Sequence, residues 1–195
     1  FDPVACRVFG RSVVVGTLGV PAVFTGADPS TMSPEDVNVQ WPCLSERGMV
    51  ATQAGVGYPS PYGLVWIGAE GPSLITQPSY SNRDWEQVNP ETFAAAPYGA
   101  AYVALRDGVR EPELWLFQPL EPSAITAASA GDVTGLATDP ETGALMLLCG
   151  DTVWEWDSDP SARRLFVWRS KEFTLVPPGN PGAVWVVSDG SMTDE

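Results

Sequence analysis

Residues 133–157, "VTGLATDPETGALMLLCGDTVWEWD", decide the fold class. Read with period two, Val133–Thr138, Ala144–Cys149 and Thr152–Asp157 are strand-like, and "DPETG" and Gly150-Asp151 between them are tight-turn chemistry. Strands joined by turns this short pair as an antiparallel meander. Upstream, "AAYVALRDGVREPELWLFQP" (100–119) predicts a hairpin of Ala101–Arg106 with Glu113–Gln118 around Asp107-Gly108. Residues 49–76, "MVATQAGVGYPSPYGLVWIGAEGPSLIT", hold apolar runs near Met49–Ala51, Leu64–Ile67 and Ser73–Ile75, again separated by turn residues. "RSVVVGTLGVPAVF" (11–24) reads as strand, glycine turn, strand, and the polar "TGADPSTMSPED" after it as a connection.

Only "SNRDWEQVNPETF" (81–93) breaks the rhythm. Ser81 or Asn82 can cap a short helix with Asp84 and Glu86 in its early turns, and Asn89-Pro90 stops it. Comparable positions in three of the meanders, Val65, Tyr102 and Leu145, fall about forty residues apart, a propeller period. The predicted fold is therefore all-β: a β-propeller of roughly four-stranded antiparallel blades with one short helix, forming part of a larger propeller. The blade regions are 11–44, 45–80, 93–130 and 131–176, in a single propeller domain over 1–195 or a fragment of one. A β-sandwich is the rival, but a sandwich has no reason to keep the period.

The last blade region includes "RRLFVWRSKEFTL" (163–175). Alternation places Leu165, Val167, Arg169 and Lys171 on one side and Phe166, Trp168, Ser170 and Glu172 on the other. Leu165–Thr174 is expected as the fourth strand of its sheet, with Trp168 packed between sheets and Arg169 and Lys171 tied to an acidic neighbour.

Composition narrows the chemistry. The 19 Gly and 19 Pro are scattered, which leaves little room for long helices, and 8 Trp suit packed sheets. A net charge of −14 opposes affinity for phosphate backbones and anionic membranes. With no histidine, histidine-dependent triads, imidazole bases and histidine-ligated zinc cannot come from this chain. Cys6, Cys43 and Cys149 are too far apart for a CxxC metal site and odd in number, so they read as reduced. No apolar run is long enough to span a bilayer and no stretch resembles a signal peptide. Opening on Phe1 rather than Met, the chain reads as a piece of a longer polypeptide.

Few residues invite a catalytic or ligand role. Glu155, Asp157 and Asp159 alternate at a strand end, where they could hold calcium or act as acid and base; a solvated acidic turn is the simpler reading. Glu111 and Glu113, flanking Pro112, read as solvated. "GVGYPS" (55–60) lacks the third glycine of a dinucleotide loop, and Pro59 and Pro61 oppose the helix such a loop needs. Tyr58, Tyr62 and Trp66 could stack a sugar, although such aromatics more often fill a core.

The order of elements carries a resemblance. "GVPAVFTGADPSTMSPEDV" (19–37), "PCLSERGMV" (42–50), "GVGYPSPYGLVWIG" (55–68), "LITQPSYSNRDWEQVNPETF" (74–93), "ALMLLCGDTVWEWD" (144–157) and "VWRSKEF" (167–173) follow one another in a way that resembles β-propeller tail hub or nozzle proteins of short-tailed bacteriophages and prophages, the group that includes packaged-DNA stabilisation proteins. The likeness runs from about Arg11 to Val187. It implies a structural virion protein rather than an enzyme, with no catalytic residues, cofactor or metal. Its partners would be copies of itself in a ring, the portal, adaptor and other tail proteins, and DNA that passes through the lumen without specific binding. Its place would be the phage tail in the virion and the host cytoplasm during assembly. The residues singled out for structure and assembly are Trp168, Arg169, Lys171, Trp85, Asn89 and Pro90, and the helix at Asn82–Val88 would be a subunit contact. The alternative is a propeller that binds or cleaves glycans, with Trp66, Trp154 and Trp156 for stacking and Glu155 and Asp157 as acids.

Overall fold

The computed structural model describes residues 2–35, 37–106, 112–121 and 125–158. The expected strand at Leu165–Thr174, with Trp168, Arg169 and Lys171, lies outside the described residues, as do Glu111 and Asp159.

Four antiparallel meanders follow one another. Sheet 1 is β1 (Pro3–Phe9), β2 (Ser12–Thr17), β3 (Ala22–Thr25) and β4 (Ser33–Glu35), and sheet 2 is β5 (Val50–Ala51), β6 (Gly55–Ser60), β7 (Gly63–Gly68) and β8 (Gly71–Leu74). A short helix, α1 (Asn82–Gln87), precedes sheet 3, which is β9 (Phe93–Tyr98), β10 (Ala101–Arg106), β11 (Glu113–Phe117) and β12 (Ile125–Ser129). Among the described residues sheet 4 is β13 (Val133–Thr138), β14 (Leu145–Cys149) and β15 (Thr152–Glu155).

The repeat is real, but its register differs from the one read in the sequence. Second strands begin at Ser12, Gly55, Ala101 and Leu145, which are 43, 46 and 44 residues apart. Val65 lies on a third strand, whereas Tyr102 and Leu145 lie on second strands; the residue of sheet 2 that corresponds to them is Val56. The first hairpins of sheets 1 and 3 repeat as well, each turning through a glycine, Gly10 and Gly99, with φ at 59. That left-handed conformation favours a residue without Cβ.

Alternation on each strand sends one row of side chains to the preceding sheet and the other to the following one. Val14 and Val23 of sheet 1 pack with Val56, Tyr58, Val65 and Ile67 of sheet 2. From the opposite face of sheet 2, Leu64 and Trp66 meet Tyr102, Ala104, Trp115 and Phe117 of sheet 3. From the opposite face of sheet 3, Val103, Leu105 and Leu114 meet Val133, Leu145 and Leu147 of sheet 4. Sheets 2 and 3 are thus apolar on both faces, which accounts for the near-continuous burial of β6, β7 and β10. The first strands also follow each other, β1 against β5, β5 against β9 and β9 against β13. At the last of these contacts the Thr138 hydroxyl donates to the carbonyl of Pro97.

Close packing fixes two glycines. A Cβ on Gly16 would lie 2.8 Å from the Cβ of Cys43, and one on Gly57 would lie 2.9 Å from the ring of Tyr102. Gly57 is the gap through which Tyr102 reaches across sheet 2 to donate its hydroxyl to the carbonyl of Gly48 at 2.7 Å.

The helix matches its expected start. The Ser81 hydroxyl accepts from the backbone N–H of Asp84, and Asn89, at φ 55, ends the run ahead of Pro90. Substituting Ser81→Ala is expected to destabilise the protein by about 1 kcal/mol in chemical denaturation, the usual effect of losing an N-cap.

Candidate functional site

The assembly candidates Trp85, Asn89 and Pro90 come together at the joint between sheets 2 and 3. Trp85 is 1% exposed. Its Nε1 donates to the carbonyl of Ser60 at 2.8 Å, and its ring stands edge-on to Tyr80, Phe93 and Phe117. Pro90 is buried and Asn89 half-buried, and Asn89 holds the turn that delivers Phe93 to β9. These three residues join sheets within the chain. What α1 presents outward is polar: Asn82, Arg83, Asp84, Glu86 and Gln87 are all exposed.

A connection at Trp41–Met49 laces three sheets together. Cys43 donates its N–H to the carbonyl of Thr17 in sheet 1, Leu44 to that of Pro59 in sheet 2, and the carbonyl of Arg47 accepts from Ala95 in sheet 3. The Tyr58 hydroxyl donates to the carbonyl of Trp41 at 3.0 Å, and the Ser45 hydroxyl to that of Phe93 at 3.3 Å. Sequence reading missed this strap, because a segment without period and with Pro42, Ser45 and Gly48 reads as an ordinary loop. The available signal was Cys43, an apolar residue type in a polar stretch. Burial pushes its thiol up to about 11, with the backbone bond to Ser45 opposing. In dilute native protein at pH 8, alkylation followed by mass spectrometry should modify exposed Cys6 and leave Cys43 untouched until the chain unfolds.

The glycan-stacking sets do not assemble as expected. Tyr58 faces sheet 1 and Trp66 faces sheet 3, both buried, so only Tyr62 of that trio is exposed. Trp156 packs against the core between sheets 3 and 4, whereas Trp154 is 60% exposed. Glu155 ends β15, and Asp157 sits in the following turn at φ 61, so the two carboxylates do not alternate along one strand. No group of three or more Cys, Asp or Glu that could hold a metal occurs among the described residues.

Charge has a clear distribution. Of the described carboxylates, only Glu35, Glu113 and Glu155 lie on strands; the others occupy turns, connections and α1. First strands β1, β5, β9 and β13 carry none. Among the described residues the sole ion pair is Arg106–Glu113 at 2.8 Å, and Glu113 also accepts from Trp115 Nε1 at 3.2 Å. Hydrogen bonds within their turns lower two exposed carboxyls: Asp28 through the Ser30 hydroxyl and N–H, and Asp139 through the Thr142 hydroxyl and the Glu141 N–H.

Among the described residues, sheets 1 and 4 each have one face against which no other described sheet packs. The outward face of sheet 1 carries Cys6, Val8, Val13, Val15, Ala22 and Phe24, as the strand pairings and the inward packing of Val14 and Val23 require. The outward face of sheet 4 carries Met146, Leu148 and Val153, with Glu155 at its corner. No protein-family model matches the chain, and no curated protein matches it.

Proposed function

We propose that the chain is an arc of a β-propeller serving as a structural component of a bacteriophage tail hub or nozzle, where it helps retain packaged DNA and form the channel through which it leaves. The observation that carries the architectural part is the run of four meanders stacked face to face with adjacent first strands. Blades around an axis have this relation. The virion assignment rests on the motifs whose order resembles the tail family.

Physical chemistry agrees with that role. DNA moving along a wall must not adhere, and carboxylates in turns and connections repel phosphates over a screening length of about 8 Å at physiological salt. Strand-borne charge is sparse, so sheets stack without desolvating carboxylates. The exposed polar face of α1 is the subunit contact in this reading. Reversing its charges with Arg83→Glu and Glu86→Lys, both exposed and outside the core, is expected to reduce incorporation into tails at least tenfold. Assembly at the wild-type level with native thermal stability would remove α1 from the contact.

One observation favours a glycan-binding reading instead, the exposed ring of Trp154. Glycan-array binding by the wild-type chain that Trp154→Ala abolishes would support it; no binding by either protein is the outcome expected of a tail component.

A further inference from the structure

We infer that the outer edge of sheet 3, strand β12 (Ile125–Ser129), takes up an extended segment of another protein as a fifth strand, one with an uncharged middle and basic residues at its ends. β12 pairs with β11 along one side, and among the described residues no strand pairs with its other side. Thr126 and Ala127 are consecutive, so they point to opposite faces of the sheet, and both are exposed. Strands inside the same sheet differ: β10 buries its first five residues, and β11 buries residues on both faces. Exposure on both faces at consecutive positions puts the edge between them in solvent, with its row of backbone N–H and C=O groups.

The outer strands of sheets 1 and 2 are guarded. β4 has three residues, two of them Pro34 and Glu35, and β8 has four, one of them Pro72. Proline, charge and shortness each deter a further strand. β12, "ITAAS", is five residues long and has neither proline nor charge. Ala127 and Ala128 carry little bulk, which leaves room on both faces for the side chains of an added strand.

Charge selects the occupant. From Pro122 to Gly131 the sequence carries no charge, and exposed Glu121 and Asp132 bound the run, each within four residues of an end of β12. Glu113, the carboxylate on β11, is already paired with Arg106. A strand added along β12 therefore meets methyl and hydroxyl groups in its middle and a carboxylate toward each end, which suits basic flanks. A second copy of β12 does not fit, because in either direction it would bring its own Glu121 or Asp132 to those ends, carboxylate toward carboxylate, on chains of net charge −14. Main-chain bonds along the edge supply the affinity in this mode of recognition, and alternate side chains the specificity. The inference is independent of the tail reading, which stands or falls without it.

Fluorescence polarisation on the full chain tests it, with a labelled peptide of alternating Thr and Val that carries two Arg at each end. Saturable binding is expected. The same peptide with its central amides N-methylated keeps the charge and loses the donors, and should bind at least about tenfold more weakly. Ala127→Lys, which sets a charge on the exposed edge, should weaken binding to a similar degree while keeping the wild-type melting midpoint. Glu121→Lys combined with Asp132→Lys should remove the preference for Arg-ended over Glu-ended peptide, whereas Glu46→Lys, an equally exposed site on the connection between sheets 1 and 2, should retain it. Amide hydrogen exchange locates the contact: bound peptide should slow exchange in β12 and leave β4 and β8 unchanged. No saturable binding up to about 1 mM peptide, equal binding of the N-methylated peptide, or protection at β4 or β8 in place of β12 would each overturn the inference. So would a wild type that pairs with itself and loses that pairing in Ala127→Lys.

Discussion

Replacing Trp85 with alanine is expected to lower the unfolding free energy by about 3–5 kcal/mol, the range for deleting a fully buried aromatic. In a chain of this size that is a fall in melting midpoint of at least about 6 °C. The indole closes the joint between sheets 2 and 3 by meeting Tyr80, Phe93 and Phe117 at centroid distances of 6.2, 5.9 and 6.3 Å. Its Nε1 also satisfies the carbonyl of Ser60, which would lose that donor. Urea denaturation followed by tryptophan fluorescence measures the change. Trp85→Phe should recover part of the loss, since it refills volume without restoring the donor. If Trp85→Ala unfolds at the wild-type midpoint, α1 is not integral to the core.

Gly57→Val should destabilise by about 3 kcal/mol, the upper end of what overpacking imposes. The strain arises at Cβ itself, 2.9 Å from the Tyr102 ring and 3.0 Å from Trp66. Both are buried aromatics with little freedom to retreat, and moving Tyr102 would also break its bond to Gly48. Gly135→Ala is the internal comparison. Its Cβ would meet Leu148 at 3.7 Å, an ordinary contact, so its unfolding midpoint should stay close to wild type. Equal effects from the two substitutions, measured by differential scanning calorimetry, would show that sheets 2 and 3 do not meet through Gly57.

Much of this fold is legible in the sequence where the chain obeys one rule at a time. Val133–Thr138 and Ala101–Arg106 announce themselves because short turns bracket β-favouring apolar runs, and both appear as β13 and β10 with the expected bounds. Ser81 announces a helix start by residue type and spacing. The first strands were harder. β9 is "FAAAPY", whose alanines have low strand propensity and whose Pro97 argues against a strand, and the partner strand β10 and the face toward sheet 4 override both. Sheet 1 therefore begins at Pro3 rather than near Arg11. "GVGYPS" offered glycines and a proline where β6 lies, because a strand squeezed between two sheets needs small residues facing Trp66 and Tyr102.

The candidate site was less legible for a physical reason. Burial is a three-dimensional property, and Tyr58, Trp66 and Trp85 look alike in sequence to exposed Tyr62 and Trp154. What distinguishes them is the strand face on which each falls, and that follows only once the register of the repeat is known. That register has a sequence signal in Val13 and Val15 of β2, which match Val56 and Tyr58 of β6, Tyr102 and Ala104 of β10, and Leu145 and Leu147 of β14. A comparison aligned on third rather than second strands of sheet 2 hid it.

The proposed tail role is tested most directly by where the chain sits in a virion. Electron cryo-microscopy of purified virions or tails that carry it should show its stacked sheets as density in a symmetric ring around the DNA channel, with first strands gathered about a propeller axis and acidic turns facing solvent or DNA. Density for the chain at a site away from the channel, or sheets arranged about no common axis, would contradict it.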